Sequence, residues 1–244
     1  MKRFYKAVGV VLEGALWRVT LDGRAVKSQG GRPQLVPSQA LAEALAAEWA
    51  GQGEEIDPAG LVLRDLVDYA IDVIPADRAG AVAGLLRFAE TDTLCYRAEP
   101  DEPFFARQLE RWEPLLLAAE ARWDVHFERV SGIIHRPQPA ATLKRFETIL
   151  AAQDDFALAA LNTLASLSAS LVIALAAIEP GADLAALWQA SELEADWQVE
   201  QWGEDYEATA RQEKRQAAFA AAARFAELAR RLVSVSQAPQ PRLS

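Results

Sequence analysis

From Phe156 to Ile178 no side chain carries a charge. A helix of that length reaches across a bilayer, so a chain containing it either enters a membrane or buries the run inside a sizeable core. The run holds Asn162, Thr163, Ser166, Ser168 and Ser170, it is rich in alanine, and no Lys or Arg cluster flanks it. A spanning helix shows the opposite pattern, apolar within and cationic at its cytoplasmic end. The expectation is therefore a buried central helix over 155–178, N-capped by Asp154 or Asp155, and no membrane insertion. The rest of the fold has to wrap it.

The chain has material to do so. Of 244 residues, 51% are hydrophobic and 25% charged, the composition of a globular protein. The formal net charge of −10 argues against a surface built to track phosphates, so no nucleic-acid partner is expected, although a local basic patch is compatible with that total. The one cysteine, Cys95, excludes an intramolecular disulfide and follows Thr93-Leu94 in an apolar segment, where a buried thiol is expected. Met1 to Lys6 runs straight into a strand-like pattern with no secretory or transit leader, which predicts a cytoplasmic protein.

The N-terminus reads as β structure. Tyr5 to Leu12 is valine-rich, Glu13-Gly14 marks a turn, Leu16 to Leu21 alternates, Asp22-Gly23 is a tight-hairpin signal, and Arg24 to Ser28 forms the returning strand. So small a sheet needs a covering helix. Ser38 caps one over 40–52, with Leu41, Leu45 and Trp49 on a single face. After Asp57-Pro58 helices dominate, predicted at 61–74, 77–89, 103–122, 140–153, 155–178, 183–202 and 205–233, with short extended pieces at 93–97 and 125–130 that return to the sheet. The fold class is α+β: a small antiparallel β-rich N-terminal domain (1–57), a larger multihelical domain (58–235) and a flexible tail (236–244).

Most catalytic signatures are absent. The sequence has no Gly-rich phosphate loop, no dinucleotide fingerprint and no nucleophile elbow. His126 and His135 stand nine apart without a cysteine pair, which is poor metal spacing, so no metal or cofactor is expected. The segment from Leu187 to Glu207 stands out instead. Glu192, Asp196, Glu200 and Glu204 fall at successive i,i+4 positions, and no Lys or Arg between Asp183 and Arg211 neutralises them. Like charges at that spacing repel, so the stripe is either a solvated face or an anionic surface for a basic partner. Trp188, Trp197 and Trp202, with Leu184 and Leu193, are either the buried side of this helix or exposed anchors for recognition. Glu204 and Glu207, at i,i+3, keep open a third reading as the acid–base pair of a small-molecule enzyme. A generic interaction scaffold is the fourth.

Several stretches, taken together, resemble one family. They are Arg3-Phe4-Tyr5-Lys6, Leu21-Asp22-Gly23-Arg24-Ala25-Val26-Lys27, Ala47-Glu48-Trp49-Ala50-Gly51-Gln52, Tyr69-Ala70-Ile71-Asp72, Glu90-Thr91-Asp92-Thr93-Leu94-Cys95-Tyr96-Arg97-Ala98, Arg107-Gln108 with Trp112-Glu113-Pro114, and Glu200-Gln201-Trp202-Gly203. In this order they are similar to the F1-ATPase assembly chaperones that bind the free α subunit in mitochondria and alphaproteobacteria. The resemblance implies a non-enzymatic chaperone that shields the α-subunit surface later met by β. It also implies that the acidic C-terminal region, Glu200, Trp202, Glu204, Asp205 and Glu207, contacts that partner.

Overall fold

Asp22 and Gly23 both take positive φ, 49° and 78°, the backbone of a tight type I′ hairpin. In the computed structural model, which describes residues 1–132, 136–203 and 206–230 (of 206–208 the backbone alone), this turn joins β2 (Leu16–Leu21) to β3 (Arg24–Ala25). A first hairpin joins β1 (Val8–Glu13) to β2, giving a three-stranded antiparallel sheet in the order β1-β2-β3. The pairing runs from Val8 opposite Leu21 to Glu13 opposite Leu16. It buries Val19 and Leu21 beneath α1 (Gln39–Ala50), whose own buried face is Leu41, Leu45 and Trp49, as its spacing predicts. Ser38 caps α1 by accepting from Leu41 N.

The returning strand is shorter than the five residues expected over 24–28. Beyond Ala25 only Val26 N keeps a backbone bond to β2, donating to the Val19 carbonyl at 3.0 Å, and the chain then turns to the helical part. Ser28 Oγ and Gly30 N both donate to Asp72, at 2.8 Å each, while Gln29 N and Gln34 Nε2 donate to Asp68 at 3.1 and 2.6 Å. Gly30 approaches so closely that a Cβ there would lie 2.7 Å from the Asp72 carboxyl carbon. Side-chain acceptors thus replace the ladder.

The helix expected over 61–74 divides into three. α2 (Val62–Asp68) widens to a π turn over Tyr69–Val73 and tightens to a 3₁₀ turn over Ile74–Ala76. Pro75 causes the change, because it has no N–H for the carbonyl of Ile71. That carbonyl accepts from Arg32 at 2.5 Å instead. Asp77 then caps α3 (Arg78–Glu90).

The 3₁₀ turn over Thr93–Cys95 leads into β4 (Tyr96–Arg97), followed by α4 (Pro103–Trp123) and β5 (Val130–Ser131). The two extended pieces do not rejoin the N-terminal sheet: β4 and β5 pair with each other, in parallel. They are fastened to α4 by a charged network in which Glu113 bridges Arg97 (3.0 Å) and Arg129 (2.7 Å), and Arg129 also pairs with Glu120. Cys95 is fully buried beside this network, as expected, and burial pushes its thiol pKa far up, with nearby Asp92 adding to the effect.

After α5 (Ala140–Ala151), the uncharged run departs from its expected form. It is two helices, α6 (Asp155–Ser168) and α7 (Leu171–Ala177), separated at Ala169, which takes a left-handed φ of 50°. Asp154 caps α6 and Ser170 caps α7. The break is stabilised by a distant residue: Asp92, itself fully buried, accepts Val172 N at 3.1 Å and Leu94 N at 3.1 Å. The expected burial holds. α6 packs against α2, α3, α7 and α10 (Tyr206–Ala229), with Leu158, Leu161 and Leu164 all at 0% exposure. No helix among the described residues is long and apolar enough to cross a membrane.

The helix predicted over 183–202 is also two, α8 (Leu184–Ser191) and α9 (Leu193–Trp202). One buried cluster runs from Tyr5 and Val19 through Leu41, α6 and α7 to Phe219 and Phe225 on α10, so both proposed domains contribute to it. The expected tail, 236–244, and the predicted end of the last helix lie outside the described residues.

Candidate functional site

The break between α8 and α9 falls at Glu192, the first carboxylate of the acidic series. Glu192 is 5% exposed and turns inward to Arg215 of α10, which bridges it at 3.0 Å. Burial raises its pKa, and the Arg215 charge works the other way. The second member, Asp196, accepts from Gln212 of α10 at 3.2 Å. Glu200 takes Arg107 of α4: one guanidinium nitrogen donates to both carboxylate oxygens, at 2.7 and 2.8 Å. The segment lacks internal cations because α4 and α10 supply them. Its three described members, Glu192, Asp196 and Glu200, therefore form neither a uniformly solvated face nor a row of unpaired charges.

Arg107 is held from two sides. Its guanidinium lies 4.9 Å from the centre of the Trp197 ring, in cation–π contact, while Trp197 stacks on Phe104 at 5.4 Å and 28°. One turn along α4, buried Trp112 donates its indole N–H to the carbonyl of Ala190 at 2.7 Å. These contacts clamp α8 and α9 along α4. Between them lies a groove of about 700 Å³, with Pro114, Leu115, Leu187, Ala190 and Leu193 along its apolar lining and Arg107, Arg111, Asp196 and Glu200 among its charged residues. Pro114 sits inside α4 and leaves the Glu110 carbonyl without its helical donor.

The three tryptophans divide. Trp188 is 4% exposed and Leu193 is buried, while Trp197 and Leu184 are packed against the core, which fits the buried-side reading. Trp202 does not: it is 80% exposed, the most exposed large aromatic among the described residues. Val199, three residues before it on the same face, is 38% exposed. α9 ends immediately afterwards at Gly203, whose φ of 92° excludes a continued helix. Of the five residues expected to meet a partner, Glu200 lines the groove, while Trp202, two residues on in the last turn of α9, lies on the other side of the helix and is not among the lining residues. Glu204 and Asp205 lie outside the described residues. Glu207 belongs to the first turn of α10, but its side chain is likewise outside them, so the Glu204–Glu207 acid–base pair has no geometry here. His126 is exposed and lies 3.1 Å from Glu120; His135 falls outside the described residues.

Sequence reasoning missed the α4 wall. Arg107 and Trp112-Glu113-Pro114 stood among the family-like stretches without a role. The signal was there, since Arg107, Arg111, Pro114 and Leu115 follow the i, i+4, i+7, i+8 spacing of one helix face. What no spacing gives is that this face meets residues some ninety positions later.

Residues 2–120 match the family model described as ATP12 chaperone protein. The crystal structure of Atp12 from Paracoccus denitrificans superposes with a TM-score of 0.89 at 34% identity, over 94% of this chain and 98% of that one. The chain belongs to the ATP12 chaperone family. An aspartate-to-lysine mutant of the same Paracoccus protein superposes equally well. The Atu1473 protein of Agrobacterium tumefaciens gives a TM-score of 0.87 at 36% identity, over 93% of this chain and 85% of that one. Protein atp12, mitochondrial, of Schizosaccharomyces pombe is 27% identical over 184 residues, 70% of this chain but 63% of its own length. The α+β architecture read from the sequence is thus that of the solved ATP12-family structures.

Proposed function

We propose that this chaperone assists assembly of the F1 sector of ATP synthase, in the bacterial cytoplasm, by holding the unassembled α subunit until β replaces it. One observation carries the reading to a surface: Trp202, 80% exposed, projects from the end of α9, an acidic helix whose other side lines an apolar groove through Leu193, Asp196 and Glu200. A chaperone of a lone subunit has to cover an apolar interface and still release it. A groove with an apolar lining and a charged rim, on a helix that also carries one exposed aromatic anchor, suits that task, because a few desolvated anchors hold the partner while rim charges chiefly speed encounter. Glu200, Glu204, Asp205 and Glu207 would face a basic patch on α, with Trp202 entering an apolar recess.

The test is size-exclusion chromatography of the purified protein with free α subunit, with assembled F1, and with α plus excess β. Co-elution with free α alone, abolished by β, is the expected result. Failure to co-elute at micromolar concentrations with both proteins folded would overturn the proposal, as would equal binding to assembled F1.

A further inference from the structure

Charge is distributed unevenly along this chain. Residues 1–36 contain seven Lys and Arg against two carboxylates, Glu13 and Asp22, within a protein whose net charge is −10. The basic segment folds around a cleft of about 610 Å³ that shares no lining residue with the α4/α9 groove. Phe4, Tyr5 and Trp49 line it together with Arg24, Lys27 and Arg64. The aromatic rings are fixed: Tyr5 packs edge-on against Phe4 at 5.3 Å and Trp49 at 5.8 Å, and its hydroxyl donates to the Trp49 carbonyl at 2.7 Å. Phe4 nevertheless remains 63% exposed.

Two of the three cations lining this cleft, Arg24 and Lys27, form no ion pair among the described residues. Its one lining carboxylate, Asp22, has its oxygens taken by the backbone N–H groups of Ala7 and Lys6, which hold its pKa below the ordinary value and keep it charged. Arg24 and Lys27 are exposed and bridge no carboxylate among the described residues. Arg64 is the exception, since it shares its charge with Asp65 and Asp68. In the wall, one buried N–H donor, Trp49 Nε1, has no hydrogen-bond acceptor among the described residues. Two exposed cations and an uncovered aromatic ring call for an occupant that carries negative charge and also an apolar side chain.

We propose that this cleft docks an extended acidic polypeptide segment of a client or assembly partner. The carboxylates would meet Arg24 and Lys27, and an aromatic or aliphatic side chain would cover Phe4. A concave site of this size suits one strand of chain, and its aromatic wall gives the purchase that a purely electrostatic surface lacks. The inference goes beyond the α-subunit reading and stands on a different face.

Fluorescence anisotropy with the full-length protein tests it. The probes are a fluorescein-labelled peptide of alternating Glu, Leu and Phe, its Lys-for-Glu counterpart, and a labelled oligo-dT. The Glu peptide should bind with salt-sensitive affinity, at least about tenfold tighter than the Lys peptide. The double variant Arg24→Glu/Lys27→Glu should lose about tenfold while melting as wild type, because both side chains are exposed. Phe4→Ala should weaken binding at high salt as well as low. Trp202→Ala should leave it unchanged, which separates this proposal from the one before. Equal binding of the two peptides, full binding by the double variant, or tighter capture of oligo-dT would overturn it. So would a dimer that the double variant dissolves, since the occupant would then be a second copy of this chain.

Discussion

Glu200 makes a bond within the molecule that any partner has to share or break. Its carboxylate is fully engaged by Arg107, whose other face rests on Trp197. This gives two separable roles for one acid. If Glu200 touches the client, Glu200→Lys weakens binding, and Arg107→Ala leaves binding intact or strengthens it by freeing the carboxylate. If Glu200 only positions α9, both substitutions weaken binding alike. We expect the first pattern, read by titrating labelled α subunit against each variant alongside its melting curve. Trp202→Ala isolates the anchor: at 80% exposure it should change stability by less than about 0.5 kcal/mol. It should cost about 2 kcal/mol or more in association if the ring enters a recess. Unaltered binding by this variant would remove the Trp202 ring from the interface. None of this was legible in the acidic spacing alone, because i,i+4 periodicity reports which charges share a face but not which cations from α4 and α10 lie across from them.

At the scale of elements, the α6–α7 break is where expectation and structure part most instructively. Ser168, Ala169 and Ser170 carry no glycine or proline to announce a break. Ala169 adopts its left-handed backbone because Asp92 arrives from the other side of the sequence to receive the first amides of α7. Burial pushes the Asp92 carboxyl up to about 6, against the pull of hydrogen bonds from Val172, Ser170 and Leu94. The unfolded value is near 4, so between about pH 4 and 6 the folded state holds the proton more tightly. The contribution of Asp92 to stability is therefore fullest below pH 4 and is lost as pH rises through 6. Urea titrations should find that wild type minus Asp92→Asn loses stability over this window by up to about 1.4 kcal/mol per pH unit. A flat difference would sink the assignment. Asp92→Ala, which strands buried amides, should cost on the order of 3 kcal/mol. Within α6, Leu161→Ala should cost roughly 2–5 kcal/mol, since the residue is fully enclosed.

Across the whole molecule, local chemistry was readable and long-range fastening was not. The Asp22-Gly23 turn and the caps at Ser38 and Asp154 follow from residue type and neighbours, and so does the α+β division. The Asp68 and Asp72 staples join residues some forty apart in sequence, so no local pattern contains them. They bear on the division at residue 57, which we propose as a boundary in sequence but not in cooperativity. One urea transition, coincident by tryptophan fluorescence and far-UV circular dichroism, is expected. The fragment 1–57 alone should be unfolded, lacking the helices that cover it. Two resolved transitions would contradict this.

The lone thiol has a practical consequence. Cys95 is wholly enclosed, lies three residues from the carboxylate that receives α7, and is held protonated by its surroundings. A thiol-reactive dye therefore modifies it only when this region opens. The modification rate, divided by that of an unfolded peptide, gives the opening equilibrium directly. The wild-type chain thus contains its own stopwatch for local unfolding, with no engineered probe to disturb it. A client that clamps the helical part should slow that clock in proportion to its affinity.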